Sequence, residues 1–272
     1  MEDLATDNVK VYGISYDSES SLTDFVDKYD LSYDLLSDVD SEVIKKFGIL
    51  NTLITPEDPE KHPQTGKVLY GVPFPGVYVT DESGVVTEKF FYRHYAARAS
   101  AGSIVDSTLG EVLMPKEAPN DSLRNDQVKI TAFLADESLK FEYQSVLYVR
   151  LELEEGLHVY GGRLPEGYFA TTASVAETKG LRVGTLSYPP TTPKTFEALG
   201  VTLDTYEGVV DIVVPVSLTS EVMNWTIRDK PEFIDIPVTV DYQACSETVC
   251  YRPKSETLTV RAPVTALSMP GR

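Results

Sequence analysis

Cysteine is almost absent from this chain: 272 residues hold two, Cys245 and Cys250, and none precedes them. A reducing compartment usually leaves single cysteines scattered through cores, whereas a close pair points to redox chemistry, a metal site or a local staple. Basic charge is also scarce, with 24 Lys plus Arg against 42 Asp plus Glu and a formal net charge of −18. That field repels phosphate backbones and anionic membrane surfaces, which argues against a nucleic-acid partner. No run approaches the roughly 20 apolar residues that span a bilayer, so membrane insertion is not expected. The start, Met1-Glu2-Asp3-Leu4-Ala5-Thr6-Asp7, lacks the basic head and apolar middle of an export signal.

What is present suffices for two domains. The hydrophobic content of 42% can furnish a core in each half. Val9–Ser15 reads as a buried strand, and the helix after it, with Ser20 or Ser21 as its cap, places Leu22, Phe25, Val26 and Tyr29 at helical spacing. A second helix begins at Asp38–Glu42, turns Val43, Ile44 and Phe47 inward and ends at Gly48. Residues 51–70 read as a loop, 75–91 as a hairpin turning on Asp81-Glu82-Ser83-Gly84, and 96–113 as a last helix. Beyond a Pro-bounded linker the grammar changes. Val128–Leu134, Leu147–Leu153, Gly208–Val216, Ile236–Tyr242 and Glu256–Arg261 read as short strands between turn-rich stretches, the mark of an antiparallel β-sandwich. Residues 161–205 are expected to be long loops with short strands.

In the first half, Val11-Tyr12-Gly13-Ile14-Ser15-Tyr16-Asp17, Leu35–Ile44 and Pro75–Gly84 resemble the peroxiredoxin/redoxin (AhpC-TSA) branch of thioredoxin-like proteins over about residues 8–112. In that family the reactive cysteine lies in the βα unit before the strand that opens this chain. No thiolate is available here, so this half as given cannot act as a peroxidase. The resemblance implies either a start truncated from a longer redoxin, which is the favoured reading, or a degenerate docking domain. Pro75 matches the family's cis proline, but with no cysteine to flank it is expected to be a trans, turn-forming residue.

In the second half, Val238–Cys245 and Cys250-Tyr251-Arg252-Pro253 resemble the N-terminal (α) domain of the thiol:disulfide interchange protein DsbD, with agreement at Gly156-Leu157-His158-Val159-Tyr160 and Tyr206-Glu207-Gly208. The likeness runs over about residues 126–265 and implies an immunoglobulin-like sandwich relaying electrons between thioredoxin-like partners in the periplasm. By resemblance, Cys250 forms the mixed disulfide and Cys245 resolves it. His158, Tyr160 and Tyr242 are their neighbours, and Phe196, in the loop Pro193–Glu197, is the aromatic cap. The residues themselves say that a four-residue gap lets a strand–turn–strand bring both Cβ atoms to disulfide distance. With no helix dipole to acidify a thiol, neighbours must do it: Arg252 and Lys254 favour a thiolate, Glu247 and Asp241 oppose it.

Blander readings stand beside these. So short a closed loop gives a structural disulfide only about 2 kcal/mol. Two cysteines and a distant histidine leave a tetrahedral zinc set incomplete. His62 and His94 read as surface residues, Trp225 as packing, and Glu154-Glu155 as surface charge. The expectation is therefore an α/β plus all-β chain. A truncated thioredoxin-like (redoxin) domain occupies residues 1–114, a linker 115–125 and an immunoglobulin-like β-sandwich 126–272. Its expected work is thiol–disulfide exchange through Cys245 and Cys250 with thioredoxin-like partners and no cofactor or metal. The alternatives are an interaction module with a structural disulfide, or a fragment of a longer antioxidant redoxin. The family implies an extracytoplasmic site, while the absent signal leaves a cytoplasmic one open.

Overall fold

The computed structural model describes residues 9–57, 61, 66, 68–92, 97–110, 112–162, 164–197, 200–222 and 230–265. His62, His94 and Trp225 lie outside the described residues. The chain is mostly β-strand with few helices, and it divides into two compact units, Met1–Arg98 and Ala99–Arg272.

In the first unit, β1 (Tyr12–Ser15), α1 (Glu19–Tyr29) and β2 (Asp34–Ser37) form a parallel pair joined by a crossover helix. Ser18, not Ser20 or Ser21, caps α1: its Oγ accepts the Ser21 N–H at 3.3 Å, so the helix starts before its first apolar residue. In α2 (Glu42–Lys46), Asp38 accepts the N–H groups of Val43 at 3.2 Å and Ile44 at 2.8 Å. Ile44 is buried, but Val43 and Phe47, expected inward, are exposed. Five residues turn only one narrow face inward, and Phe47 instead lies against Tyr78, ring centroids 5.6 Å apart. β3 (Gly76–Thr80) and β4 (Val86–Phe91) make the expected hairpin. Asp81 organises its turn by accepting the Ser83 and Val85 N–H groups, each at 2.9 Å. Among the described residues no peptide bond is cis, so Pro75 follows a trans bond. The parallel pair and the hairpin are separate two-stranded sheets, so the thioredoxin-like expectation is met only in part.

The second unit holds a β-sandwich, which fits the immunoglobulin-like expectation. β5 (Arg98–Ala99) lies at the division between the units. α3 (Ala101–Leu109) is shorter than the helix expected over 96–113, because Ser100 caps it and Gly110, at φ 71°, ends it. This helix belongs to the second unit. Residues 115–125, expected as a linker, include strand β6 (Asn120–Arg124), whose polar sequence suits a sheet edge. The strands that follow are β7 (Val128–Leu134), β8 (Leu139–Lys140), β9 (Tyr143–Leu153), β10 (His158–Tyr160), β11 (Thr172–Val175), β12 (Leu181–Val183), β13 (Thr192–Phe196), β14 (Val201–Glu207), β15 (Val209–Leu218), β16 (Phe233–Tyr242), β17 (Ala244–Cys245) and β18 (Lys254–Thr265).

The larger sheet runs β12-β15-β9-β7-β6 and a second runs β11-β16-β18-β8. Alternate residues of their facing strands make the core: Ile130, Val149 and Ile212 in the first, Ile236, Val238 and Val260 in the second, all fully buried. Burying each such side chain contributes about 1.5–3 kcal/mol. β7 is buried on both faces because Phe133 and Tyr148, on the outer side of the larger sheet, form a second cluster with Val112. α3 approaches here so closely that a Cβ on Gly102 would fall 1.9 Å from the Ala135 carbonyl oxygen. Arg150 completes the patch, paired with Asp211 through two hydrogen bonds of 2.7 and 2.9 Å and donating to the Val112 carbonyl at 2.8 Å.

A third, smaller sheet, β13-β14-β10-β17, positions the site. Val159, Tyr206 and Ala244 point from its inner face into the sandwich core. By the two-residue period, His158, Tyr160, Phe196, Leu203 and Cys245 share the opposite face.

Candidate functional site

Cys245 and Cys250 are joined in a disulfide with Cα atoms 4.0 Å apart. The turn between them is built locally. Ser246 N–H donates to the Val249 carbonyl at 2.7 Å, and Ser246 Oγ accepts the Val249 N–H at 3.0 Å. Beyond the turn, Tyr251 N–H returns to the Ala244 carbonyl at 2.9 Å, and Gln243 Nε2 donates to the Tyr251 carbonyl at 2.9 Å. Polar residues that serve each other in this way leave β17 free to pair outward, and Cys245 lies opposite His158 in its ladder with β10.

The two cysteines occupy unlike surroundings. Cys245 is fully buried, in a cluster with Tyr160, Phe196 and Leu203 backed by Leu164, Tyr168 and Val201. Cys250 is exposed at the end of the turn. Tyr160 reaches across and donates its hydroxyl to Cys250 Sγ at 3.6 Å, since a disulfide sulfur has no hydrogen to give. Burial, and then Tyr168, push the Tyr160 phenol above its ordinary value, which keeps that proton in place.

The sequence-predicted residues are brought together with one exception. His158, Tyr160 and Phe196 pack as an aromatic group: His158 lies 5.2 Å from Phe196 and 5.4 Å from Tyr160, centroid to centroid. Tyr160 also meets Tyr168 edge-on at 5.4 Å. Phe196 is 8% exposed and lies on strand β13, not in a loop. Its segment pairs residue for residue with Val201–Thr205, and Pro193 is tolerated because β13 is an edge. Tyr242 is the exception: it joins the sandwich core, its hydroxyl accepting from Asn125 Nδ2 at 2.9 Å.

The charged residues differ from expectation. Lys254 turns to Asp126 at 3.6 Å, and Asp241 accepts from Thr172 at 3.5 Å. The cation at the site is Lys194, on the same face of β13 as Phe196, bound to Glu207 at 2.8 Å and to Glu247 of the cysteine turn at 2.5 Å. Hydrogen bonds that Lys194 donates to Glu207 and then to Glu247 raise its pKa, and Lys194 holds the Glu247 carboxyl below its usual value. Sequence reasoning missed Lys194 and Glu207. The signal was the two-residue step from Lys194 to Phe196, which puts any partner of one beside the other.

His158 is fully buried, and neither ring nitrogen has a hydrogen-bond partner among the described residues. Burial, then the nearby Lys194, hold its pKa below the ordinary histidine value, so the ring is neutral at neutral pH. Among the described residues no three His, Cys, Asp or Glu side chains converge as a metal-binding group.

A β-sandwich with a half-buried disulfide under an aromatic cover is thus the class of the second unit. Residues 131–262 match the family model for the thiol:disulfide interchange protein DsbD, N-terminal, and residues 1–89 match that of the AhpC/TSA family. Both resemblances read from the sequence are therefore found. A search of curated proteins returns no match. Among solved structures, the N-terminal periplasmic domain of ScsB from Proteus mirabilis is 17% identical, with a TM-score of 0.36 over 54% of this chain. The match spans 53% of that chain, about half its length. The DsbD N-terminal domain of Neisseria meningitidis in the reduced form is also 17% identical, with a TM-score of 0.30 over 56% of this chain and 91% of that one. No helix among the described residues is long and apolar enough to cross a membrane.

Proposed function

We propose that this protein performs thiol–disulfide exchange through Cys245 and Cys250, carrying electrons to or from thioredoxin-like partners at an extracytoplasmic site. The observation that carries the reading is the asymmetry of the pair: Cys250 is exposed on a short turn, and Cys245 is sealed beneath Tyr160 and Phe196. A partner thiolate attacks the sulfur it can reach, Cys250, and expels Cys245 as the leaving thiolate. In the reverse direction the shielded Cys245 attacks the mixed disulfide and releases the partner. The aromatic cover keeps other thiols from the second sulfur, so attack is directed to Cys250. The two family matches support this chemistry, and the extracytoplasmic setting is the one that the DsbD resemblance implies. Neither cysteine lies within residues 1–98, so the exchange proposed here runs through the second unit.

A mixed-disulfide trap tests the reading. The Cys245→Ser chain, incubated with a thioredoxin-fold protein carrying its intact active-site disulfide and quenched with an alkylating agent that blocks the partner thiolate expelled in the exchange, is expected to yield a covalent 1:1 adduct through Cys250. Absence of that adduct, with Cys250 freely alkylated in the same sample, would defeat the proposal.

A further inference from the structure

We infer that His158 is the proton acceptor of the disulfide: on reduction its imidazole takes up the proton that accompanies the Cys245 thiolate, and on reoxidation it gives that proton back. The inference rests on the exchange chemistry proposed above and assigns a task to a side chain which that chemistry leaves idle.

The geometry begins with an orphan. His158 is 0% exposed, and both Nδ1 and Nε2 lack a hydrogen-bond partner among the described residues. Burying an imidazole without a single partner is unfavourable, and a core position with that shape would be better filled by an apolar ring. What the site can change is the sulfur. A disulfide sulfur donates nothing and accepts weakly, whereas a thiol or thiolate supplies the partner that the ring lacks. Cys245 is the residue directly opposite His158 in the β10–β17 ladder. Directly opposed residues hold their Cβ atoms about 4.5–5.5 Å apart on one face, a gap that an imidazole nitrogen and a sulfur close between them.

The surrounding charges agree. On the other side of β10, Glu207 of β14 lies opposite His158. Lys194 of β13 binds both Glu207 and Glu247 of the cysteine turn, and among the described residues the phenols of Tyr160 and Tyr168 join these ionisable groups around the site. One cation between two carboxylates leaves the group net negative, which suits an imidazolium once a thiolate appears beside it. While the disulfide is intact, burial and then Lys194 keep the ring neutral, with a lone pair free to accept.

The step balances as follows. A dithiol partner's thiolate bonds to Cys250 Sγ, the Cys245–Cys250 bond breaks, and its electron pair stays on Cys245 Sγ. His158 takes one proton, making a thiolate–imidazolium pair. The partner's second thiolate then attacks its own bridged sulfur and leaves as a disulfide, and Cys250 departs with the second proton. The partner loses two electrons and two protons. One proton ends on Cys250, and the other is shared between Cys245 and His158.

The test uses the full chain carrying Cys250→Ser, in which Cys245 is a free thiol whether or not any partner exchanges with it. Ultraviolet thiolate absorbance and imidazole NMR shifts are followed from about pH 5 to 8. The expected result is a thiolate that forms together with a protonated His158. Adding His158→Gln should move thiolate formation up by about one pH unit or more, a tenfold loss of thiolate at fixed pH. A Cys245 that titrates as an ordinary buried thiol beside a neutral His158 overturns the inference, and that reading needs no substitution at His158. A disulfide that no dithiol protein reduces in the unsubstituted chain would instead sink the exchange reading, so the two failures are distinguishable.

Discussion

Lys194 on β13 and Glu247 in the cysteine turn form an ion pair, Nζ to Oε1 2.5 Å, that ties the strand bearing the aromatic cover to the loop closed by the disulfide. The pair is exposed on the Glu247 side, so it adds little to global stability. Its effect should be local. Glu247→Gln is expected to speed reduction of the disulfide by a small dithiol a few-fold while leaving the melting temperature nearly unchanged. Added salt should bring the unsubstituted protein toward the variant. Stopped-flow reduction at low and high ionic strength checks this.

Single-cysteine chains should differ sharply. With Cys245→Ser, the remaining Cys250 thiol is exposed and should alkylate like a free cysteine. With Cys250→Ser, the remaining Cys245 is sealed beneath Tyr160 and Phe196, and should alkylate about a hundredfold more slowly, limited by opening of the cover. Native-state alkylation timed by mass spectrometry measures both.

Phe196→Ala removes most of the cover over Tyr160 and His158. The change should lower stability by about 3 kcal/mol, as for other buried phenylalanines, and also accelerate reduction. Denaturant melts give the first number and reduction kinetics the second. A loss of stability with no gain in rate would remove Phe196 from the shielding role.

The oxidised protein should lose stability as pH falls through the histidine range, in part because of His158. Its folded pKa is depressed, first by burial, so below the unfolded value of about 6.5 the unfolded chain binds more protons than the folded one. The contribution is fully present above that pH and is lost as pH falls through the folded value. The difference between melts of the unsubstituted and His158→Gln chains, taken across pH, should therefore narrow toward acid.

Asp106 on α3 should act with the opposite sign. Burial raises its carboxyl above the usual range, against the lowering effect of Tyr148 and of the Leu113 N–H that it accepts at 3.2 Å. Its contribution is present below the unfolded value and is lost as pH rises through the folded one. Asp106→Asn should remove that decline, which melts from acid to neutral pH would reveal.

The strands of the sandwich were legible in the sequence where one face is wet. Residues 236–242 alternate strictly, and β16 buries Ile236, Val238, Val240 and Tyr242. The same alternation carried information on Tyr242 that the cysteine motif obscured: its parity with Val238 and Val240 assigns it to the core. β6 was not legible, because Asn120–Arg124 is polar and becomes a strand through its ladder with β7 and the bond from Thr259 N–H to Asp121 at 2.8 Å. Phe196 read as a loop residue because residues 161–205 are rich in Gly, Pro and Thr, and the edge position of β13 permits Pro193 in a strand. The pairing of Lys194 with Glu247 depends on where two distant segments meet, which no local pattern records. In the first unit, the exposure of Val43 and Phe47 follows from the shortness of α2, which apolar spacing does not reveal.

The most direct test of the account is the reduction potential of the Cys245–Cys250 pair, equilibrated against glutathione or thioredoxin buffers and read by alkylation and mass spectrometry. Exchange chemistry predicts a potential above about −270 mV, within reach of thioredoxin-like partners. A value below about −300 mV, with cysteines that stay unlabelled until the chain unfolds, would mean a structural staple and contradict it.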